Sequence, residues 1–203
     1  MIIGLTGGIG SGKTTIARAL AARGYDVYDC DREAKRIIVE NEAVRQAIIN
    51  LLGEEAFIKG QGDKVQGTKY NTDYVAKRVF AEPALLTALN AIVHPAVKED
   101  IRIQNSEFRL IFVESAILFE AELDQLCDKI FCIDAPEQLR IERTIQRDYN
   151  GDASPENINK VRARIRAQKT NIGQTPNDKR LMILLNDGTT TIEQIVNQII
   201  QSI

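Results

Sequence analysis

The residues with the clearest chemical potential stand near the start of the sequence, in the run GGIGSGKTT. Gly7, Gly12, Lys13 and Thr14 have the spacing G-x-x-x-x-G-K-[ST], between an apolar strand-like segment and a segment of helical periodicity. Glycines let successive backbone N–H groups face one concavity, and the helix N-terminus that follows favours anions. Lys13 is expected to reach the terminal phosphates and the Thr14 hydroxyl to bind Mg2+. The run predicts a nucleoside triphosphate site made by Gly8, Gly10, Ser11, Gly12, Lys13, Thr14 and Thr15.

A second candidate group consists of arginines in the last third of the chain. Arg140, Arg143 and Arg147 recur on one predicted helix face, and further arginines, among them Arg164, follow the break YNGDAS. Arginine suits the charge of a transferring phosphoryl group because its fork donates bidentately and stays protonated. Two such helices predict a lid over the nucleotide. The alternative is a solvated basic face with nearby glutamates as partners.

Two aspartates, Asp29 and Asp31, stand one residue apart at the end of the predicted second strand. In an extended chain, residues i and i+2 face the same side, so one of them could accept a proton from a substrate hydroxyl. The alternative is an aspartate that ends a strand or caps a helix.

These groups separate two classes of nucleotide-binding protein. A kinase needs an acceptor site, a base and a cover that excludes water, and the sequence offers candidates for all three. A regulatory GTP switch usually carries N-K-x-D to read guanine, and the sequence has no such motif. A kinase is therefore favoured over a switch.

Strands alternate with helices along the chain, and several strands are continuously apolar. This pattern predicts an α/β fold of the P-loop NTPase type, with a parallel sheet covered by helices on both faces. The predicted core comprises residues 1–31 and 105–203, including a lid at about 140–170, and residues 32–104 form an inserted, mainly helical acceptor-binding lobe. Within that lobe, residues 33–57 are predicted to be helical and residues 53–71, rich in glycine and charge, a loop.

The sequence resembles the dephospho-CoA kinase family over nearly its whole length. The resemblance rests on IGLTGGIGSGKTT, DCDREAKR, IVHPAV, ILFEAEL, RTIQRD with RIRAQ, and LLNDG, in that order. It implies ATP and Mg2+ as cofactors and phosphorylation of the ribose 3′-hydroxyl of dephospho-CoA, the last step of coenzyme A synthesis. Asp31 would then be the base, Lys13, Arg143 and Arg147 would act in catalysis, and Arg140 would bind nucleotide. The predicted substrate contacts are Asp29, His94, Arg164 and Gln168.

Three features of the sequence leave questions open. The family usually has an apolar residue and an arginine where this chain has Glu33 and Lys35. His94, the single histidine, either positions substrate or is a helix-end residue before Pro95. Glu114, after an apolar strand, either orients a magnesium-bound water or simply ends the strand.

The composition constrains partners and location. A formal net charge of -2 gives no sign of nucleic-acid binding, and no apolar run is long enough to cross a membrane. The three cysteines match no zinc spacing, which predicts reduced thiols in a cytoplasmic protein. We expect a monomer or a weak homo-oligomer whose partner is the small-molecule substrate.

Overall fold

The computed structural model of the chain describes residues 1–58, 69–107, 110–168 and 178–203. The chain divides into two compact units, one of residues 1–28 with 105–203 and the other of residues 29–104. No helix within the described ranges is long and apolar enough to span a membrane.

The strands of the described residues are β1 (Ile2–Gly7), β2 (Asp26–Asp29), β3 (Phe57–Ile58), β4 (Lys69–Tyr70), β5 (Ile111–Glu114), β6 (Lys129–Asp134) and β7 (Leu181–Leu185). The α-helices are α1 (Lys13–Ala22), α2 (Cys30–Glu40), α3 (Glu42–Leu52), α4 (Thr72–Ala81), α5 (Pro83–Glu107), α6 (Glu137–Asp148), α7 (Pro155–Ala167) and α8 (Ile192–Gln201).

A five-stranded sheet in the order β2-β5-β1-β6-β7 forms the first unit. The pairs β1–β5, β1–β6 and β6–β7 are parallel. Every residue of β1 is buried, because apolar faces of α1 and α8 pack with the strands in one core. Fully burying one such aliphatic side chain contributes about 1.5–3 kcal/mol. The predicted parallel sheet with covering helices is confirmed.

Helices α6 and α7 form a hairpin held by a small apolar cluster of Ile141, Ile145 and Val161. Ser154 caps α7 by accepting from the backbone N–H of Asn157, and Pro155 is the first helical residue.

The second unit adds detail to one prediction and corrects another. Residues 33–57 are largely helical, as predicted, but in two helices: Asn41 adopts an extended conformation, ending α2, and its side chain caps α3. The predicted loop at 53–71 contains a 3-10 turn, Glu54–Ala56, and the antiparallel pair β3–β4, where the Phe57 and Tyr70 rings pack 5.6 Å apart. Residues 59–68 of that segment lie outside the described residues.

One of the two alternatives for His94 is excluded, because the residue does not end a helix. Helix α5 continues through Pro95 to Glu107. Proline removes one helical hydrogen bond but leaves the rest of the ladder intact, and the buried residues Val93, Val97 and Ile101 hold the helix on both sides of it.

Candidate active site

The phosphate cradle is the turn between β1 and α1, and its backbone needs glycine at two positions. Gly10 and Gly12 have φ angles of 75° and 95°, which residues with a Cβ rarely adopt. A Cβ would also clash with the Arg140 backbone at Gly10 and with the Asn186 amide at Gly12. The turn is therefore packed closely by its neighbours, with no room for larger residues.

Lys13 and Thr14, the first two residues of α1, converge on one carboxylate. Thr14 Oγ1 donates to Glu114 Oε1 over 2.5 Å, and Lys13 Nζ lies 3.4 Å from the same oxygen. Glu114 is 7% exposed at the end of β5, which the parallel register places beside Leu5. Glu114 thus belongs to the cradle, although the sequence left its role open.

Ser11 supplies a buried polar atom with no partner of its own. Its Oγ has no hydrogen bond among the described residues, although the residue is only 1% exposed. A buried hydroxyl without a partner is destabilising, and an anion bound in the cradle would satisfy it. Ser11 is therefore suited to a phosphate ligand, whereas Thr15 is exposed on α1.

The arginines of α6 do not all reach the cradle. Arg140 Nε donates to the Ile9 carbonyl over 2.8 Å, and its guanidinium lies beside Gly8. Arg143 Nη1 lies 3.4 Å from the Ser11 carbonyl oxygen. Arg147, one turn further, pairs instead with Asp148. Of the three predicted arginines, two hold the cradle backbone and one forms a separate ion pair.

Two amide side chains fasten the cradle from distant parts of the chain. Asn186, buried after β7, donates to the Ser11 carbonyl over 2.8 Å and accepts from Arg143 at 3.3 Å. Gln168, after α7, accepts from the Ile9 N–H over 2.7 Å and donates to the Ala116 carbonyl over 3.2 Å. Gln168 was predicted to contact substrate, whereas here its amide binds the backbone of the protein.

The aspartate pair lies at the start of the second unit, and its local structure differs from the prediction. Asp29 ends β2 and caps α2, accepting from the Arg32 N–H over 3.1 Å. Asp31 is in the first turn of α2, so the two residues do not share one face of an extended chain. That expectation was wrong because the strand ends at Asp29 and the helix begins at once.

The Asp31 carboxylate is exposed, and no hydrogen bond or ion pair engages it within the described ranges. Glu33, two residues further along α2, is buried at 8% exposure and accepts from Arg32 and Arg36. Arg36 also reaches Asp100 on α5 over 2.8 Å. These hydrogen bonds raise the pKa of Arg36. Glu33, one of the two residues that depart from the family pattern, therefore belongs to a structural ion-pair network.

His94 and Arg164, the other predicted substrate contacts, belong to different units of the chain. His94 is half-buried in the middle of α5. Arg164 is exposed on α7, and its Nη1 lies 2.7 Å from Asp148 Oδ2. The positions of these two residues neither support nor contradict a contact with substrate.

A parallel sheet with a glycine-rich turn, a lysine and a hydroxyl at the start of α1, and arginines on a neighbouring helix defines the class of P-loop kinases. The family described as dephospho-CoA kinase (CoaE) matches residues 1–191. The chain belongs to the dephospho-CoA kinase family.

Individual proteins are similar to the chain over nearly its whole length. A dephospho-CoA kinase of Chlorobaculum tepidum is 33% identical over 213 residues, covering 100% of this chain and 95% of that protein. The crystal structure of TT1252 from Thermus thermophilus has a TM-score of 0.76 and 29% identity, covering 100% of this chain and 97% of that one. A dephospho-CoA kinase from Campylobacter jejuni, with a TM-score of 0.64 and 21% identity over 99% of this chain and 96% of its own, shares the fold.

Proposed function

We propose that the chain transfers the γ-phosphoryl group of ATP to the 3′-hydroxyl of dephospho-CoA, giving ADP and coenzyme A. The observation that carries this proposal is the convergence of Lys13 and Thr14 on buried Glu114, in a chain of the dephospho-CoA kinase family. ATP is the phosphoryl donor implied by the family.

The cradle would hold the phosphates by position and charge. Its backbone N–H groups and the start of α1 would face the bound phosphates, and the Ser11 hydroxyl, which has no hydrogen-bond partner among the described residues, would add one more donor. Lys13 would leave Glu114 for the terminal phosphates. In phosphoryl transfer the protein contributes mainly positioning and charge stabilisation, so these groups carry most of the rate.

Thr14 and Glu114 suit magnesium because both present oxygen atoms, the ligands that Mg2+ prefers. Among the residues that the structure describes, no group of three metal-binding side chains occurs. We propose that Thr14 would be a direct ligand, that Glu114 would orient a water of the ion, and that ATP phosphates would supply the other ligands. When bound, Mg2+ neutralises charge on the transferring group.

For the acceptor, Asp31 is the proposed base. Its carboxylate is exposed and would not have to break an existing hydrogen bond, within the described ranges, to accept the 3′-hydroxyl proton. Asp29 would contribute by capping α2 and so fixing the turn that carries Asp31. His94 and Arg164 stay predicted acceptor contacts.

The wider assignments are proposals of the same kind. Residues 32–104 would bind the acceptor, and the region at about 140–170 would cover the nucleotide, with Arg143 and Arg147 stabilising the transferring phosphoryl group. The cytoplasmic location and the monomeric or weakly oligomeric state stay predictions from the sequence.

Two rivals remain to be tested: a P-loop kinase for a different hydroxyl, and a regulatory switch. The discriminating experiment measures ADP formation by the purified protein with ATP, Mg2+ and a panel of nucleoside, nucleotide and small-molecule acceptors that includes dephospho-CoA. We expect ADP in proportion to dephospho-CoA alone. Turnover with another acceptor would favour the first rival, and slow hydrolysis without any acceptor the second. A Lys13→Ala preparation made in the same way controls for contaminating kinases.

A further inference from the structure

The carboxylate of Asp148, the last residue of α6, holds two arginines at once. Arg147 donates through Nε to Oδ1 over 2.6 Å and through Nη2 to Oδ2 over 3.2 Å. Arg164, on α7, donates through Nη1 to the same Oδ2 over 2.7 Å. Both arginines are among the residues to which the sequence assigns a role in the reaction or in substrate binding, whereas Asp148 has none.

Helix stability does not explain an aspartate at this position. The C-terminus of a helix carries partial negative charge and disfavours an acid in the last turn by about 0.3–1 kcal/mol. Asp148 is nevertheless ionised: hydrogen bonds from Arg147 and Arg164 lower its pKa to about 2. The acid is therefore tolerated here because of the two guanidinium groups that surround it.

The chain reversal between α6 and α7 brings these groups together. Asn150 and Gly151 have φ angles of 51° and 85°, which turn the chain sharply after α6. Asp152 closes the turn by accepting from the Ser154 N–H and from the Asn157 side chain. Arg164, sixteen residues beyond Asp148, thus returns to it across a hydrogen-bonded turn.

Both guanidinium groups keep donors for another anion. Within the described ranges Arg147 uses Nε and Nη2 on Asp148, and Arg164 uses Nη1. Their side chains remain 60% and 45% exposed. Without the carboxylate of Asp148, the two guanidinium groups would repel each other. The negative charge of Asp148 therefore lets the two arginines stay together before any phosphate binds.

We propose that Asp148 is a positioning residue that holds Arg147 and Arg164 together as one phosphate-binding pair. This inference rests on the proposed kinase function and deepens it: Asp148 itself touches no substrate and acts through the two arginines. Losing its charge separates the pair without removing either guanidinium.

A double-mutant cycle tests this assignment. Asp148→Asn keeps the size of the side chain and removes its charge. We expect it to lower kcat about 10- to 100-fold, the equivalent of one charge-assisted hydrogen bond, while KM for ATP changes less than about threefold. In an Arg147→Gln/Arg164→Gln background, the same change should lower kcat less than about twofold further.

The matched control is Glu156→Gln, which removes an exposed carboxylate of α7 that pairs with Lys160 and contacts neither arginine; its kcat should stay within about twofold of wild type. The proposal would be overturned if Asp148→Asn lowered kcat by the same factor in the background without the two arginines. It would also be overturned if the single variant Asp148→Asn kept the wild-type kcat. If Asp148→Asn does not fold, Arg164→Gln alone must lower kcat by a comparable factor.

The kcat values of the cycle are measured first with dephospho-CoA as the acceptor. If the wild-type protein does not turn over dephospho-CoA, they are measured with the acceptor that it does use, or as ATP hydrolysis without any acceptor. A wild-type protein that ignores dephospho-CoA contradicts the proposed function, whereas an additive cycle contradicts only the role of Asp148.

Discussion

Replacement of Asn186 by alanine tests how the cradle is held in place. Asn186 is 4% exposed, and its Nδ2 donates to the Ser11 carbonyl over 2.8 Å. Alanine leaves that buried acceptor with only the long 3.4 Å contact from Arg143. Leaving a buried acceptor unsatisfied costs about 1–3 kcal/mol, so we expect the free energy of unfolding to fall by about 2 kcal/mol.

The loss of stability should appear in urea unfolding, and in a Tm lower by about 4–8 °C for a chain of this size. ATP affinity, measured by titration calorimetry, should fall roughly tenfold, because ATP must then order the Ser11–Gly12 backbone that Asn186 no longer fixes. Asn186→Asp should also be destabilised at neutral pH, since its carboxylate accepts from Arg143 but cannot donate to Ser11.

Asn197→Ala is the matched control. Asn197 is an exposed asparagine on α8 whose side chain contacts Arg23, and its loss should change stability by less than about 0.5 kcal/mol. If Asn186→Ala unfolds within 0.5 kcal/mol of wild type and binds ATP normally, Asn186 does not hold the cradle.

Three further predictions concern the base, the acid stability and the thiols. Asp31→Asn should lower kcat about 10²- to 10⁴-fold with ATP affinity retained, while Asp26→Asn, on the exposed end of β2, should lower it less than twofold; a loss below tenfold for Asp31→Asn in a folded protein would remove Asp31 as the base. Because the pKa of Asp148 falls from 3.8 to about 2 on folding, its contribution to stability is fully present above about pH 5 and is lost as the pH drops toward 2. Urea unfolding between pH 5 and 2.5 should therefore show a steeper acid loss in wild type than in Asp148→Asn, and equal slopes would contradict the ion pairs. Burial raises the pKa values of Cys127 and Cys132 to about 12, so iodoacetamide at pH 8 should label neither in the native protein and both after unfolding; rapid native labelling would show that these thiols are accessible.

The cradle was predictable from sequence because its geometry is local. Gly10 and Gly12 supply the backbone angles, and Lys13 and Thr14 follow within one turn of helix. A local pattern of glycines and a helix start determines where the backbone N–H groups point, whatever the rest of the chain does.

The supports of the cradle were less accessible because they act over long sequence distances. Gln168 and Asn186 bind a loop 159 and 175 residues away, and neither has a local pattern that sets its partner. The motifs RIRAQ and LLNDG drew attention to these residues, but only through the resemblance. For Asn186, which follows β7, the strand order is what matters: it places β7 beside β6, and β6 beside β1.

The aspartate pair shows where periodicity misleads. YDVYDC reads as a strand through Cys30, and an extended chain would place Asp29 and Asp31 on one side. Asp29 is also a good helix cap, and that preference prevails: α2 begins at Cys30. Similarly, Phe57 and Tyr70, whose rings pack together, lie in a strand pair within a segment whose composition indicated a loop.

Analysis of the product tests the central claim most directly. Purified protein, ATP labelled in the γ-phosphate, Mg2+ and dephospho-CoA should give ADP and coenzyme A in equal amounts, with the label at the 3′-position of the ribose by mass spectrometry and phosphorus NMR. ADP formed without labelled coenzyme A, or a label on any other hydroxyl, would contradict the proposed reaction.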